Sequence, residues 1–421
     1  MKNLHLMSLD SGFNARLMVA LNTYFPRDNN YFVWRAGSKC PAGFDNAITD
    51  PKWFSTEYIN QHHVEWDQLF LHELFLSDRQ LLQLSDDAAE KITWVVWGHD
   101  LYRKPAKPSF QPRSIALYAY RWLRQYSVFF RGFQRKVAAK VSQFRRIAIG
   151  YPYDEVYIRK KYGNTVPVVY GPYFSKEASK GDLDSLRKLH LENRHPQTNI
   201  MIGHCGSAFL QHEKYLKKLA KYKNEDIHIY LIMSYLASQQ RIEAIRNLAR
   251  SIYREDQFTI ITESMPQDVY FRFLTKMDVA VFVFRQQSAL GNVKRLAYMG
   301  AKLYFDPRGV LAKGFLAGGV ESFDCRKIGK LSFEEFRRPA PLPASDSPLF
   351  DGFDLKRCVS AWEKCLQNNS KRMGLSAFVT RKHISASSAH IPLQGSALDK
   401  RFFCPGCQLP APAIHCLLYQ N

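Results

Sequence analysis

Residues 279–305 read VAVFVFRQQSALGNVKRLAYMGAKLYF. The first six residues form a continuous apolar run, which is typical of a strand buried on both faces of a parallel sheet. A polar loop follows at 285–292, and then a helical pattern that ends at Gly300. The next apolar run is 302–305. This succession of strand, loop, helix and strand predicts one βαβ unit of an α/β domain.

The same alternation extends toward the amino terminus. Apolar runs at 200–202, 227–233 and 258–261 alternate with helical patterns at about 209–222, up to 252, and at 267–276. Together they make a βαβαβαβαβ succession of about 110 residues, the size of one doubly wound domain. The first half of the chain shows the pattern more weakly, in strands predicted at 4–9, 31–34 and 92–97. We therefore expect an α/β protein with parallel sheets.

A chain of 421 residues is long enough for two domains, each with its own core. We predict an amino-terminal domain over 1–174, a polar linker over 175–199, and a carboxyl-terminal domain over 200–369 with a closing helix at 354–367. From about residue 370 the sequence is rich in Ser, Ala, Pro and basic residues and shows no sustained period. We expect residues 370–421 to be mostly disordered.

The charge balance is strongly basic, because 59 Lys and Arg face 38 Asp and Glu, a net charge of +21. Such an excess favours an anionic partner: a nucleic acid, a phospholipid headgroup or a phosphorylated substrate. The sequence has no run of about 18 apolar residues, so we predict no membrane span. The apolar start reaches Asp10 too early for a secretory signal, and the eight cysteines lack a disulfide-framework spacing. These features favour a cytoplasmic protein.

The only pattern that suggests a metal lies near the carboxyl terminus. Cys404 and Cys407, with His415 and Cys416, resemble zinc-ligand spacing, but one CxxC in a segment without a core is a weak signal. The sequence contains no Walker loop, no HExxH and no GxSxG motif. We predict no metal and no cofactor.

Two loops at strand ends could bind an anionic ligand. Gly203 and His204 follow the apolar run 200–202, and a glycine there lets the backbone approach a ligand closely. The loop 285–292 lies at the carboxyl end of a strand, where open α/β sheets bind ligands. Glutamines can bind sugar hydroxyl or amide groups, and a helix start can hold a diphosphate without a metal. The predicted binding residues of this loop are Arg285, Gln286, Gln287, Gly291 and Asn292, and ordinary turns are the alternative at both places.

A third strand end carries ionisable residues between aromatic ones, since residues 94–102 read WVVWGHDLY. Asp100 or His99, or Asp10 after the first strand, could take a proton from an acceptor hydroxyl. A structural aspartate is equally compatible with this pattern. The aromatic rings suited to stacking on a sugar are Trp94, Trp97 and Tyr102.

Residues 101–150 contain 12 Lys or Arg and no Asp or Glu. Large aromatic side chains lie between these cations, a composition typical of an element in a bilayer interface. A basic solvated helix with an aromatic core face, or a nucleic-acid surface, would have the same composition, although we recognise no nucleic-acid motif. The residues predicted to contact a membrane are Trp122, Phe129, Phe130, Arg131, Phe133, Arg135 and Lys136.

Three blocks of the sequence resemble, in order, one family of bacterial enzymes. Block 94–102 is similar to that family's Trp-x-x-Trp-Gly-x-Asp-Leu-Tyr, and 200–203 followed by 212–219 is similar to its strand, glycine loop and helix. The family is that of the TDP-N-acetylfucosamine:lipid II N-acetylfucosaminyltransferases (4-alpha-L-fucosyltransferases) of enterobacterial common antigen synthesis. Within the third block, 263–300, the residues that fall in the family's order are Asp268, Tyr270, Leu274, Asp278, 282–284 and 285–287.

The chain departs from the family pattern at both predicted ligand loops. The family has Gly-x-Gly-Thr after its two glutamines, where this chain has SALGN at 288–292. The family's Gly-Asn-Ser turn is here Gly203-His204-Cys205. The exact sugar and nucleotide therefore stay open.

The resemblance implies a GT-B fold, in which two doubly wound Rossmann-like domains face each other across a cleft. It implies an acceptor bound mainly by the first domain and a nucleotide-sugar donor bound by the second, with Glu263 near the nucleobase or ribose. The implied reaction is an inverting transfer of a 4-acetamido-4,6-dideoxygalactose-type sugar from a dTDP-sugar to a polyprenyl-pyrophosphate-linked saccharide. A first-domain base would deprotonate the acceptor hydroxyl, which displaces the nucleoside diphosphate. The implied location is peripheral, on the anionic cytoplasmic face of the bacterial inner membrane, with no nucleic acid as partner.

Two other functions stay open at this stage. A nucleotide-sugar epimerase of similar fold would share the donor domain but would not need a basic aromatic face. A nucleic-acid-binding protein would explain the net charge but not the arginine and glutamines of 285–287 at a strand end.

Overall fold

A computed structural model describes residues 1–8, 12–26, 29–35, 44–98, 100–102, 128–172, 174, 180–193, 195–285 and 287–367. These residues form two parallel sheets with helices packed on them. Several predictions of the sequence analysis lie outside the described residues: Asp10, His99, Trp122, Gln286 and the segment 370–421.

The first sheet contains strands β1 to β7. Their bounds are β1 Lys2–Met7, β2 Asn29–Trp34, β3 Ala47–Thr49, β4 Gln68–His72, β5 Ile92–Val96, β6 Arg146–Ile149 and β7 Val168–Tyr170. The strands are parallel and lie in the order β3-β2-β1-β4-β5-β6-β7. The α-helices of this part are α1 Gly12–Tyr24, α2 Thr56–His62, α3 Asp78–Gln83, α4 Asp86–Lys91, α5 Val128–Ser142 and α6 Asp154–Tyr162.

Both faces of the first sheet are covered, as the apolar character of its central strands requires. Strands β4, β5 and β6 are buried at every position. In β4, Leu69 and Leu71 belong to the core cluster that includes Val137 of α5. Phe70 points to the other face, where it belongs to a cluster with Leu17 of α1.

The second sheet contains strands β8 to β13. Their bounds are β8 Thr198–Ile202, β9 Ile227–Ile232, β10 Phe258–Ile261, β11 Val279–Phe282, β12 Lys302–Phe305 and β13 Phe323–Asp324. These strands are also parallel, in the order β10-β9-β8-β11-β12-β13. The α-helices of this part are α7 Lys180–Glu192, α8 His212–Leu219, α9 Gln239–Arg250, α10 Gln267–Leu274, α11 Leu290–Met299, α12 Val310–Ala317, α13 Phe333–Arg337 and α14 Leu355–Leu366.

The strand order reverses once in each sheet, between β1 and β4 and between β8 and β11. The chain therefore leaves these two neighbouring strands in opposite directions, which opens a crevice at their carboxyl ends, where open α/β sheets bind ligands. We call the region at the carboxyl ends of β1, β4 and β5 the first crevice. The region at the carboxyl ends of β8 and β11 is the second crevice.

The last described helix, α14, returns to the first sheet. Trp362 is fully buried there, and its Nε1 donates to the carbonyl of Pro172 at 2.7 Å. Arg146 of β6 donates from Nη1 to the carbonyl of Cys365 at 2.9 Å. These bonds tie α14 to both β6 and the segment after β7.

The segment predicted as a linker contains helix α7, which packs on the second sheet's helices. Arg187 Nε donates to the carbonyl of Tyr298 in α11 at 2.7 Å, and the Tyr298 hydroxyl donates to Asp184. The helix thus belongs with the second sheet by its contacts, while the exact domain boundaries stay a prediction.

The sequence predicts the elements of the second sheet better than those of the first. Every strand predicted from 200 to 305 is present within a residue or two of its predicted bounds. In the first sheet, β3, β4, β6 and β7 were not predicted. Among the described residues, no helix is both long and apolar enough to cross a bilayer.

Candidate active site

The second crevice begins at Gly203, the residue directly after β8. Its φ of +69° lies in the left-handed region that favours glycine. A Cβ at this position would lie 2.7 Å from Leu210 Cδ1 and 3.1 Å from His212 Nε2. The chain needs this glycine for its own turn, so a role in ligand approach stays a prediction.

His204 joins the two loops that the sequence analysis selected. Its Nε2 lies 3.1 Å from Ser288 Oγ, in the loop after β11. Burial, followed by the charge of nearby His212, lowers the pKa of His204 to about 3, so the ring is neutral at neutral pH. Its Nδ1 is buried and has no hydrogen-bond partner among the described residues. The structure thus brings the two loops together, and their ligand stays a prediction.

The loop after β11 leads into the amino terminus of the ten-residue helix α11. Ala289 has a φ of +51°, and the helix begins at Leu290. Gly291 is exposed in the first turn, where a Cβ would meet only Arg295 Nη1, at 3.2 Å. Asn292 Nδ2 donates to the Tyr270 hydroxyl at 3.3 Å. The free N–H groups of this turn give the second crevice a site suited to an anion.

Two arginines share one carboxylate at the carboxyl ends of β11 and β12. Arg285 Nε donates to Asp306 Oδ2 at 3.0 Å, and Arg308 Nη2 donates to the same oxygen at 2.8 Å. Although burial opposes it, these hydrogen bonds hold the pKa of Asp306 below its usual range. Two arginines on one carboxylate leave a net positive charge at this edge of the sheet. Within α11 itself, burial lowers the pKa of Lys294 to about 8.

Glu263 lies apart from these groups. It is exposed and follows β10, which is two strands away from β8 in the sheet. Two strand spacings amount to about 10 Å. Its predicted place near the nucleobase or ribose is compatible with that distance and stays a prediction.

The two sheets meet where Gly98, after β5, touches Gln287, in the loop after β11. Gly98 has a φ of +92°, and a Cβ there would lie 2.7 Å from Gln287 Oε1. That oxygen is buried and has no hydrogen-bond partner within the described part of the chain. The contact places the carboxyl-end edge of the first sheet directly against the second crevice.

Asp100 lies in the turn after β5 and is 3% exposed. Its carboxylate accepts hydrogen bonds from Trp94 Nε1 at 2.7 Å and from the backbone N–H groups of Leu74, Trp97 and Leu101 at 3.0 to 3.1 Å. A general base needs a lone pair directed at the acceptor hydroxyl, whereas these four donors engage both oxygens. The predicted role as base is untested, and the geometry supports a structural carboxylate that ties the turn after β4 to the turn after β5.

The predicted stacking of Trp94 and Tyr102 on a sugar is wrong. Trp94 is fully buried and Tyr102 is 3% exposed, and both belong to the core cluster of the first sheet. The Tyr102 hydroxyl donates to Asp154 Oδ1 at 2.5 Å, so its polar end is also occupied. These two rings fill the core and do not offer a face to a sugar. Trp97 is half-buried, and its stacking role stays a prediction.

Helix α5 carries the described part of the predicted membrane contact. Arg135 and Lys136 are exposed. Phe133 is half-buried and packs against the core of the first sheet, and its membrane contact stays a prediction. Phe129, Phe130 and Arg131 lie at the start of this helix, and their membrane contact stays a prediction.

One ionisable residue of the first crevice was not predicted from the sequence. Glu73 follows β4 directly and is 5% exposed. Ser8, which follows β1, donates from its hydroxyl to Glu73 Oε2 at 2.6 Å. The signal was present as an acidic residue after the short apolar stretch 69–71, but that stretch was not recognised as part of a strand.

Comparisons with known proteins confirm the resemblance and the fold. The sequence model of the family described as "4-alpha-L-fucosyltransferase glycosyl transferase group 56" matches residues 156–311. A structure of Anabaena Alr3699/HepE in complex with UDP and glucose has a TM-score of 0.53 at 13% identity, covering 87% of this chain and 99% of that one. An E. coli structure described as "Trehalose-6-phosphate … bound with UDP-2-fluoro glucose" has a TM-score of 0.53 at 8% identity, covering 87% and 99%.

At such low identity, the similar structures establish the fold, and the family match carries the enzyme class. The architecture is the predicted α/β arrangement of the GT-B type. The family match includes β8, β9, β10 and β11 with their loops, and so the whole second crevice. The chain is a glycosyltransferase of GT-B fold, similar over residues 156–311 to the 4-alpha-L-fucosyltransferases of glycosyl transferase group 56.

Proposed function

We propose that the chain moves a sugar from a nucleoside diphosphate held in the second crevice to a hydroxyl of an acceptor held in the first. The observation that carries this proposal is the joining of the two loops by His204 and Ser288, 3.1 Å apart, beside the start of α11. Together these groups offer neutral hydrogen-bonding atoms and free N–H groups, with cationic Arg285 nearby. This set suits a diphosphate, whose terminal phosphate gains a further negative charge when its bond to the sugar breaks.

The reaction we propose is a direct displacement. The acceptor oxygen forms a bond to the anomeric carbon while the bond from that carbon to the diphosphate oxygen breaks, which inverts the configuration. The nucleoside diphosphate leaves with the electron pair, and a first-domain base takes the acceptor proton. Asp10, His99 and Asp100 stay the candidates for that base, and four hydrogen bonds already engage both carboxylate oxygens of Asp100.

The family match supports a more specific donor and acceptor. We propose a 4-acetamido-4,6-dideoxygalactose-type sugar carried by dTDP, and a polyprenyl-pyrophosphate-linked saccharide from surface polysaccharide assembly such as that of enterobacterial common antigen. An acceptor with a polyprenyl chain stays in the bilayer, so the enzyme must reach the membrane. The exposed Arg135 and Lys136 of α5 support a peripheral position on an anionic cytoplasmic leaflet.

Two assays test this proposal. Calorimetry with dTDP, UDP, GDP and CMP should identify one preferred nucleotide, expected to be dTDP. The matching nucleotide-sugars, incubated with membrane extract, should then give a lipid-linked product that is longer by one sugar in mass spectrometry. Absence of nucleotide binding by folded protein would contradict the proposal, and so would release of an epimerised nucleotide-sugar without transfer.

A further inference from the structure

Two neighbouring strands of the second sheet end in the same arrangement of an aspartate and an arginine two residues later. Asp306, directly after β12, accepts hydrogen bonds from the backbone N–H, Nε and Nη2 of Arg308 at 2.8 to 3.0 Å. Asp324, the last residue of β13, accepts the same three bonds from Arg326 at 2.8 to 3.0 Å. Each aspartate thus holds a guanidinium group in one orientation at the carboxyl edge of the sheet.

The two arginines lie side by side. Strands β12 and β13 are neighbours, so the two arrangements are one strand spacing apart, about 5 Å. Hydrogen bonds to Asp306 raise the pKa of Arg308, while the nearby charge of Arg326 opposes that rise. We call Arg308 and Arg326 the arginine pair.

The arginine pair is exposed and has unused hydrogen-bond donors. Both side chains are 58% exposed, and the Nη1 of each bonds to no residue in the described part of the chain. With Arg285, which also donates to Asp306, three cations share two aspartates, and this leaves a net positive charge. A guanidinium held by an aspartate presents its remaining N–H groups in a fixed direction, a geometry suited to phosphate oxygens. The pair therefore suits an anion with two phosphates.

The position of the pair relates it to the acceptor rather than to the donor. Strands β12 and β13 follow β11 on the side opposite β8, the strand that leads to His204. Helix α12, which begins directly after the loop of Arg308, meets the first sheet's part of the chain. There the Tyr151 hydroxyl donates to the carbonyl of Leu311 at 3.3 Å, and Val310 belongs to the core cluster of the first sheet. A phosphate on the pair would thus lie away from His204 and beside the part of the chain proposed to hold the acceptor.

We propose, resting on the proposed function above, that the arginine pair binds the diphosphate of the lipid-linked acceptor. Arg308 and Arg326 donate hydrogen bonds to its phosphate oxygens. Asp306 and Asp324 are positioning residues, because they fix the two guanidinium groups before the ligand arrives. Arg285, in the loop that leads to α11, stays with the predicted donor site. The donor and acceptor diphosphates then occupy separate places along the carboxyl edge of one sheet.

The test uses geranyl diphosphate as a soluble stand-in for the lipid-linked diphosphate. Calorimetry measures its binding in the presence of saturating dTDP, so that the donor site is already occupied. One variant combines Arg308→Gln with Arg326→Gln, and a second combines Arg308→Lys with Arg326→Lys. Neither arginine is among the predicted donor-binding residues. Further readouts are dTDP affinity, the melting temperature and sedimentation with phosphatidylglycerol vesicles.

The matched control is Arg254→Gln. Arg254 is exposed and donates from Nε to Asp256, an aspartate two residues away, at 3.1 Å. It precedes β10, and so lies at the opposite, amino-terminal edge of the same sheet. The control therefore removes an equivalent exposed arginine without touching the carboxyl edge, and it should bind geranyl diphosphate as the wild type does.

We expect the double glutamine variant to bind geranyl diphosphate at least tenfold more weakly, with dTDP affinity and vesicle sedimentation within twofold of wild type. The double lysine variant keeps both charges but loses the planar forks, so its affinity should lie between those of the glutamine variant and the wild type. In transfer assays, the KM for the lipid-linked acceptor should rise at least tenfold in the glutamine variant while kcat changes less than threefold. A purely structural role of the pair would lower the melting temperature and leave this KM unchanged.

Unchanged geranyl diphosphate affinity in the double glutamine variant would overturn the inference. Failure of the wild type to bind geranyl diphosphate once dTDP is saturating would also overturn it, because the diphosphate would then belong to the donor site. Loss of vesicle sedimentation in place of geranyl diphosphate binding would assign the pair to lipid headgroups and contradict the proposal. A wild-type protein that binds geranyl diphosphate through the pair but transfers no sugar would contradict the proposed function while still supporting a diphosphate site here.

Discussion

The two crevices have the same strand order but different chemistry. Both lie where a parallel sheet reverses its order, at β1 and β4 in one case and at β8 and β11 in the other. The first presents carboxylates, Glu73 and Asp100, held by hydrogen bonds from Ser8 and the backbone. The second presents a neutral histidine and the start of a helix. The same strand order therefore forms a crevice in each sheet. The residues at the strand ends determine which of the two crevices suits a diphosphate.

The largest expected effect concerns the first crevice. There Asp100→Asn tests both proposed roles of Asp100, as a general base and as a carboxylate that fixes the turns. An amide keeps the shape but replaces one acceptor oxygen by a donor, which leaves buried N–H groups unpaired. We expect the free energy of unfolding to fall by roughly 2–4 kcal/mol and turnover to fall by roughly 10² or more. Denaturant unfolding and kcat, corrected for the folded fraction, measure the two effects.

A base and a positioning residue differ in the pH profile of Asp100→Asn. If Asp100 is the base, the variant should lose the acidic limb of the profile of kcat against pH. If Asp100 is a positioning residue, the shape of that profile should stay unchanged. Full turnover in the folded variant would exclude both roles and move the base to Asp10 or His99.

The second expected effect concerns the predicted membrane-contact surface on α5. Replacement of Arg131, Arg135 and Lys136 by Glu reverses three charges near the start of α5, each worth on the order of 1 kcal/mol at an anionic leaflet. We expect sedimentation with anionic liposomes to be abolished while nucleotide binding persists. Salt should release only part of the wild-type protein, because apolar contacts resist screening. If the charge-reversed variant still sediments with liposomes as the wild type does, these residues do not bind the membrane and the net positive charge has another role.

A smaller effect is expected at the bridge in the second crevice. His204→Ala removes the ring that joins the two loops through Ser288. The loss of one such hydrogen bond is worth about 0.5–1.5 kcal/mol, so nucleotide affinity should fall by roughly two- to tenfold. His195→Ala, at an exposed residue before β8, is the matched control and should bind as wild type does. Equal affinity in both variants would remove His204 from the site.

The smallest expected effect is the absence of a pH response in the second crevice. Burial lowers the pKa of His204 from 6.5 to about 3, so the ring stays neutral from pH 5 to 8. Because the folded pKa lies below the unfolded value, its contribution to stability is present above pH 6.5 and is lost as the pH falls toward 3. The ratio of nucleotide affinity in the wild type to that in His204→Ala should therefore vary less than twofold between pH 6 and 8 in calorimetry, since the ionisation of the nucleotide's own terminal phosphate, near pH 6, affects both proteins alike. A tenfold change of this ratio centred near pH 6.5 would show a histidine of ordinary pKa in the site.

The second crevice could be predicted from the sequence because its signals are local. The apolar run at 279–284 and the loop after it lie together in the chain, and sheet order alone brings them beside Gly203. The first crevice depends on contacts between distant residues. Asp100 accepts from Leu74, 26 residues earlier, and Glu73 meets Ser8, 65 residues away. Strand β4, with Gln68 and His72 at its ends, also lacks the continuous apolar run of β11.

The core membership of Trp94 and Tyr102 shows a second limit of sequence reasoning. Aromatic residues at a strand end have the same pattern whether they fill a core or face a ligand. Only the packing places both rings inside, with the Trp94 Nε1 bonded to Asp100. The sequence WVVWGHDLY at 94–102 is therefore as compatible with a turn fixed by buried side chains as with a turn that carries a catalytic residue.

We infer that the donor diphosphate binds in the second crevice and not in the first. The most direct test is titration of dTDP into Gly291→Val, Glu73→Gln and the wild-type protein by calorimetry. A side chain at Gly291, in the first turn of α11, should block approach to the helix start and weaken binding at least tenfold, about 1.4 kcal/mol. Glu73→Gln should bind within twofold of wild type. Unchanged affinity in folded Gly291→Val, or tighter dTDP binding once the Glu73 charge is removed, would contradict this assignment of the two crevices.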